Sequence, residues 1–190
     1  MKNLFLITIA GILTLLLTSG CLRYEGTNRG KVIDEATGEP IEGVVILAVW
    51  KKGQPTIAGT KHKFYDAMEV VTDKDGEFSI EGMGLKLDRP GLPFPGFADI
   101  ENMQIFIFKA GYTYDHIVDL DYEKAKYKWR FEDDKVIIRL KKLTMEERRR
   151  KGPPSRPSIP IEKMNLLTKE VNKERIELGL TPFELGGNAK

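Results

Sequence analysis

Apolar residues fall along this chain in two distinct ways. Residues 4–17 form one uncharged apolar run, preceded by Lys2 and followed by the small residues Thr18, Ser19 and Gly20. Beyond residue 28 the apolar stretches are short and separated by Gly, Pro and acidic turns. Residues 31–33 are β-prone and lead into Asp34-Glu35-Ala36-Thr37-Gly38-Glu39-Pro40, a turn sequence. Residues 44–50 are apolar on both faces and rich in β-branched side chains, which predicts a strand buried within a sandwich. Residues 70–72 and the alternating 77–81 flank Asp73-Lys74-Asp75-Gly76 and predict a hairpin. Residues 103–108, 117–120 and the alternating Val136, Ile138 and Leu140 predict further strands. Residues 53–67 and 82–96 break the pattern and are expected as long loops, the second because it holds Pro90, Pro93 and Pro95. Short strands with turn signals between them argue for an all-β sandwich.

After Leu143 the pattern changes again. Glu146, Glu147, Arg148, Arg149, Arg150 and Lys151 form a charged run, and Pro153, Pro154, Pro157 and Pro160 favour an extended linker. Residues 161–178 read as one helix with Met164, Leu167, Val171 and Leu178 on a single face, Gly179 as its C-cap and Pro182 beyond. That face must bury, against the sandwich or on a partner.

Composition narrows the chemistry. A formal net charge of +2 is too close to zero for a nucleic-acid binder steered by a large positive field. Cys21 is the only cysteine, so neither an intrachain disulfide nor a Cys-based metal site can form. His62 and His116 lack the spacing of a zinc site, since no Glu stands three residues after either. Asp73 and Asp75 suit a turn better than a calcium loop, because Phe78 and Ile80 occupy the positions where ligands should follow. No nucleophile triad, phosphate loop or nucleotide fingerprint is visible. Neither catalysis nor a cofactor is expected.

The N-terminus is the most specific signal. A positive n-region, an apolar h-region too short for an ordinary span and a small-residue end make a secretory signal. The ending Leu17-Thr18-Ser19-Gly20-Cys21 resembles the lipobox of bacterial lipoproteins. The resemblance implies cleavage before Cys21, diacylglycerol on its thiol and a membrane-held mature protein. Leu22 and Arg23 lack the Asp that retains such proteins at the inner membrane, which implies the outer membrane, facing the periplasm.

Gly30-Lys31-Val32-Ile33-Asp34, Thr37-Gly38-Glu39-Pro40-Ile41 and Gly43-Val44 resemble the opening of the carboxypeptidase regulatory-like domain. Thr72-Asp73-Lys74-Asp75-Gly76-Glu77-Phe78 is similar to its central hairpin, and Lys109-Ala110-Gly111-Tyr112 to its Lys-x-Gly-Tyr element. The resemblance covers roughly 29–142 and implies a transthyretin-like sandwich of about seven strands, acting as a noncatalytic accessory module. The expected organisation is a signal peptide over 1–20, a lipidated tether over 21–28, the sandwich over 29–142, and a linker plus one α-helix over 143–190. The expected function is a lipid-anchored envelope module for protein–protein interaction or structural support. The alternative is a carbohydrate or peptidoglycan binder that presents Phe64, Tyr65, Phe94 and Phe97 from its loops. Met164, Leu167 and Val171 are the candidate contacts to a protein partner. Arg148 to Lys151 are expected in a solvated linker, with anionic headgroups as a second option. Tyr112 is expected to tether its own turn by hydrogen bonding.

Overall fold

The structure, a computed structural model, describes residues 21–56, 59–88, 99–100, 103–117, 130–132 and 135–184. In chain order the strands are β1 (Cys21–Glu25), β2 (Asn28–Asp34), β3 (Val45–Thr56), β4 (Gly59–Val71), β5 (Glu77–Ile80) and β6 (Gly84–Asp88). They continue with β7 (Asp99–Ile100), β8 (Gln104–Phe108), β9 (Asp115–Ile117), β10 (Arg130–Glu132) and β11 (Lys135–Leu140). Helix α1 (Met145–Lys151), a 3-10 turn (Ile161–Lys163) and helix α2 (Asn165–Glu177) complete the described chain. The architecture is mostly β and sandwich-like, with two helices.

One sheet has the order β10-β11-β2-β5, the other β4-β3-β8-β9 with β7 also on β3, and β1 and β6 form a separate two-stranded ribbon. The β11–β2 pair is parallel. Between the two larger sheets lie Val32, Phe78, Ile80, Ile138 and Leu140 from one side and Ile46, Ala48, Trp50, Ile105 and Ile107 from the other. Burying each such large apolar side chain stabilises the fold by about 1.5–3 kcal/mol.

The two-faced apolar pattern of residues 44–50 has a direct cause. The odd residues Val45, Leu47 and Val49 point away from the sandwich core and are as deeply buried as the even ones. They are covered by Met164, Leu167 and Val171 of the tail, with Phe106, Ile159, Ile161 and Phe183 around them. The C-terminal segment is therefore a third layer on the outer face of the β3 sheet. Met164, Leu167 and Val171 are at most 4 % exposed, so the candidate partner contacts of the helix are core residues.

Five further expectations change. Residues 53–56 and 59–67 are not a loop: β3 and β4 continue pairing out to Thr56↔Gly59. The far half of this hairpin leaves the core, so neither face carries the apolar stripe that a period-2 reading needs. Residues 70–72 and 77–81 do not pair with each other, because β4 joins β3 and β5 joins β2. The Asp73–Gly76 turn instead carries the chain from one sheet to the other. Part of the Gly/Pro-rich stretch 82–96 is regular after all, since β6 pairs residue for residue with β1. That pairing also makes strand of Cys21–Glu25, expected as tether. Finally, the charged run forms α1, whose start is a capping box: Thr144 Oγ1 accepts from Glu147 N, and the Glu147 carboxylate accepts from Thr144 N.

Candidate functional site

Among the sequence candidates, Cys21 stands at the first position of β1, in register with Asp88 at the end of β6. Phe94 and Phe97 lie outside the described residues, as do residues 1–20. Phe64 packs against the outer apolar layer. Tyr65 is the extra residue where the β3–β4 register shifts, and it is partly exposed with the Lys52 ammonium 3.9 Å from its ring centre. The aromatic quartet therefore contributes one exposed ring among the described residues, and a cation already sits on it.

The histidines are kept apart by strand order. His62 is on β4 and His116 on β9, the opposite edges of the β4-β3-β8-β9 run. Three inter-strand steps and a six-residue offset along β3 separate them, about 24 Å. Among the described residues no group of three His, Cys, Asp or Glu side chains is placed to hold a metal ion. The Asp73 carboxylate is used locally, accepting from Asp75 N and Glu77 N at 2.9 Å each. The crevice between the proline segment and the sheet, lined by Phe106, Phe108, Tyr114, Pro154, Pro157 and Val171, has room for about one water molecule.

Tyr112 is partly buried against the inner core, and its hydroxyl hydrogen-bonds Asp34. Burial first, then the Asp34 charge and hydrogen bond, push the phenol up from its ordinary value. Asp34 Oδ1 also accepts from Ala36 N at 2.8 Å and Thr37 N at 3.1 Å. The tether from Tyr112 thus reaches the turn after β2, a tertiary contact and not its own turn.

The buried acids are structural. Glu170 and Glu174 stand four residues apart on one face of α2. Glu170 accepts from Ala110 N at 3.2 Å and Glu174 from Gly111 N at 2.8 Å. The Lys-Ala-Gly-Tyr turn therefore docks the helix with its backbone amides. Arg148 closes the cluster on Glu174, with Glu177 alongside, so the first residue of the basic run is an internal cation. Lys151 lies 4.2 Å over the Tyr114 ring. Arg149 and Arg150, between them, are exposed.

A different basic surface emerges on a segment whose sequence predicts a loop. From Lys51 to Tyr65 the chain has four lysines and no acidic residue. Lys52 is directly opposite Lys63, and Gln54 opposite Lys61. Residues opposite each other, or two apart, share a face of a ribbon. Lys52, Lys61 and Lys63 therefore lie on one face of the outer hairpin. The alternation of Lys with neutral residues was the available signal, but without an apolar face it does not distinguish strand from loop.

No protein-family model, curated protein or solved structure matches this chain.

Proposed function

We propose that the protein is a noncatalytic envelope lipoprotein, held by acyl chains on Cys21 at the periplasmic face of the outer membrane. Its sandwich is a transthyretin-like scaffold of about seven strands, similar to carboxypeptidase regulatory-like domains. Its role is protein–protein interaction or structural support. The observation that carries this reading is the leader of 1–21: a cation, an uncharged apolar run, three small residues, then the chain's only cysteine. The mostly β, sandwich-like architecture agrees with it.

The test is the intact mass of the protein purified from bacterial membranes. Loss of residues 1–20 plus the mass of diacylglycerol and one further acyl chain is expected, and Cys21→Ser should remove the lipid mass. Protein released without lipid from wild-type cells would overturn the anchor. Crosslinking in the same cells addresses the role: one dominant envelope protein is expected, and recovery with the glycan fraction alone would favour the carbohydrate reading.

A further inference from the structure

We infer that the outer half of the β3–β4 hairpin is a membrane-contact element that binds anionic phospholipid headgroups through Lys52, Lys61 and Lys63. The inference rests on the lipid-anchor reading of Cys21 and adds a second contact to it.

The charge arrangement is the first argument. Lys52 and Lys63 face each other directly across an antiparallel pair, with Lys61 on the same face. Like charges in that position repel and weaken the pairing. Among the described residues none of the three has an ion-pair partner; Lys52 has only the Tyr65 ring. In the C-terminal segment, by contrast, several cations are matched. Lys163 binds Asp66 at 2.8 Å, Arg148 binds Glu174, and Lys173 binds Glu170. An unmatched triad on one ribbon face suits an anionic surface from outside.

Position is the second argument. Glu25, at the end of β1, accepts from Trp50 Nε1 at 3.2 Å, two residues before Lys52. From there β1 runs back to Cys21, a distance of about 13 Å for four strand steps. Its partner β6 lies against β7, and β7 pairs with β3 at Lys52 and Gly53. The ribbon bearing Cys21 therefore runs beside the outgoing half of the hairpin. From Trp50 to Thr56 that half spans about 20 Å. An acylated Cys21 with no intervening linker would hold the hairpin within reach of the headgroups. Three lysines beside an anionic leaflet each strengthen binding roughly fivefold.

The experiment uses the full chain carrying Thr60→Cys, an exposed position at the hairpin end. After acylation of Cys21 this is the only free thiol. A fluorophore there is read in vesicles whose headgroups carry a quencher, made with or without phosphatidylglycerol in phosphatidylcholine. Quenching is expected only with phosphatidylglycerol, and it should be relieved by molar salt. A second arm adds labelled chain of residues 21–190, lacking the apolar run and carrying Cys21→Ser, to preformed vesicles and measures binding without the anchor. There, Lys52→Gln, Lys61→Gln and Lys63→Gln together should weaken binding to phosphatidylglycerol vesicles on the order of 100-fold. These exposed or half-exposed side chains support no core, and an unchanged melting temperature should confirm that the triple variant folds. Acylated protein whose probe reads the same in both vesicle types overturns the hairpin contact and leaves the anchor standing. Equal binding by the triple variant also overturns it. Protein that lacks acyl mass yet binds phosphatidylglycerol vesicles through the three lysines overturns the anchor and leaves the hairpin standing.

Discussion

Arg148 and Glu174 meet as a two-pronged pair, Nε to Oε1 at 2.8 Å and Nη2 to Oε2 at 2.6 Å, across the gap between α1 and α2. Both side chains are about nine-tenths or more buried, and Glu174 also receives the Gly111 amide. Removing one partner leaves a buried charge without its counterion, which costs about 3–5 kcal/mol. Arg148→Ala should therefore lower the unfolding free energy by about 3 kcal/mol in urea titration. Replacing both, Arg148→Met with Glu174→Leu, should recover much of the loss. A single variant costing under about 1 kcal/mol would show that the pair is not buried in solution.

Leu167→Ala should cost about 2–5 kcal/mol, because Leu167 is 4 % exposed between the helix and β3. The same variant, if folded, should crosslink in cells as the wild-type chain does. Loss of a wild-type crosslink at unchanged stability would restore the helix face as a docking surface.

Helix α2 begins at Asn165 with no side-chain cap from its own segment. Glu69 of β4 supplies one, accepting from Leu166 N at 2.9 Å and Leu167 N at 2.7 Å. A carboxylate at a helix N-terminus satisfies free amides and opposes the positive end of the dipole. Glu69→Ala should cost about 1 kcal/mol. Hydrogen exchange should quicken first at those two amides; uniform exchange along α2 would count against the cap.

Glu147 should titrate unusually low. Its hydrogen bond to Lys141, then those to the Thr144 amide and hydroxyl, hold its carboxyl down to about 2 from an ordinary 4.5. The folded value lies below the unfolded one. The contribution is thus complete above about pH 4.5 and is lost as pH falls toward 2. Carboxyl carbon shifts in NMR should place the midpoint near 2, and Lys141→Gln should raise it. A wild-type midpoint at the ordinary value would remove the capping box from α1.

Gly76 and Gly38 share a left-handed backbone, with φ of 72° and 73°. Their surroundings differ. A Cβ on Gly76 would sit 2.5 Å from Val32 O, while one on Gly38 meets nothing within 4 Å. Gly38→Ala should cost only the backbone preference, about 1 kcal/mol. Gly76→Ala should cost clearly more, since the turn between the sheets must also shift. Equal melting temperatures for the two would contradict this geometry.

How much of this was legible follows from where each signal originates. Turn chemistry is local, so Asp34–Pro40 and Asp73–Gly76 read directly from the sequence. Core strands advertise burial, so β3, β8 and β11 were found by their apolar residues. The helix over 161–178 and its Gly179 terminus were visible in spacing, and the structure splits it at Met164 into a 3-10 turn and α2. Helix α1 was also written out, as Thr144-x-x-Glu147, but proline and charge nearby argued for a linker. Other features are relations between distant residues. No local pattern says that β5 leaves β4 for β2, because both arrangements use the same turn and the same alternation. The apolar odd residues of β3 required a cover, yet only packing identified it as Met164, Leu167 and Val171. Glu69 reaches α2 across a sequence separation of nearly a hundred residues. The outer hairpin was hidden because solvent lies on its faces, and a strand without a buried face carries no hydrophobic period. Sequence by itself determined the turns and which segments must be buried. Tertiary structure decided which surface buries each of them, since burial is a demand any complementary face can meet.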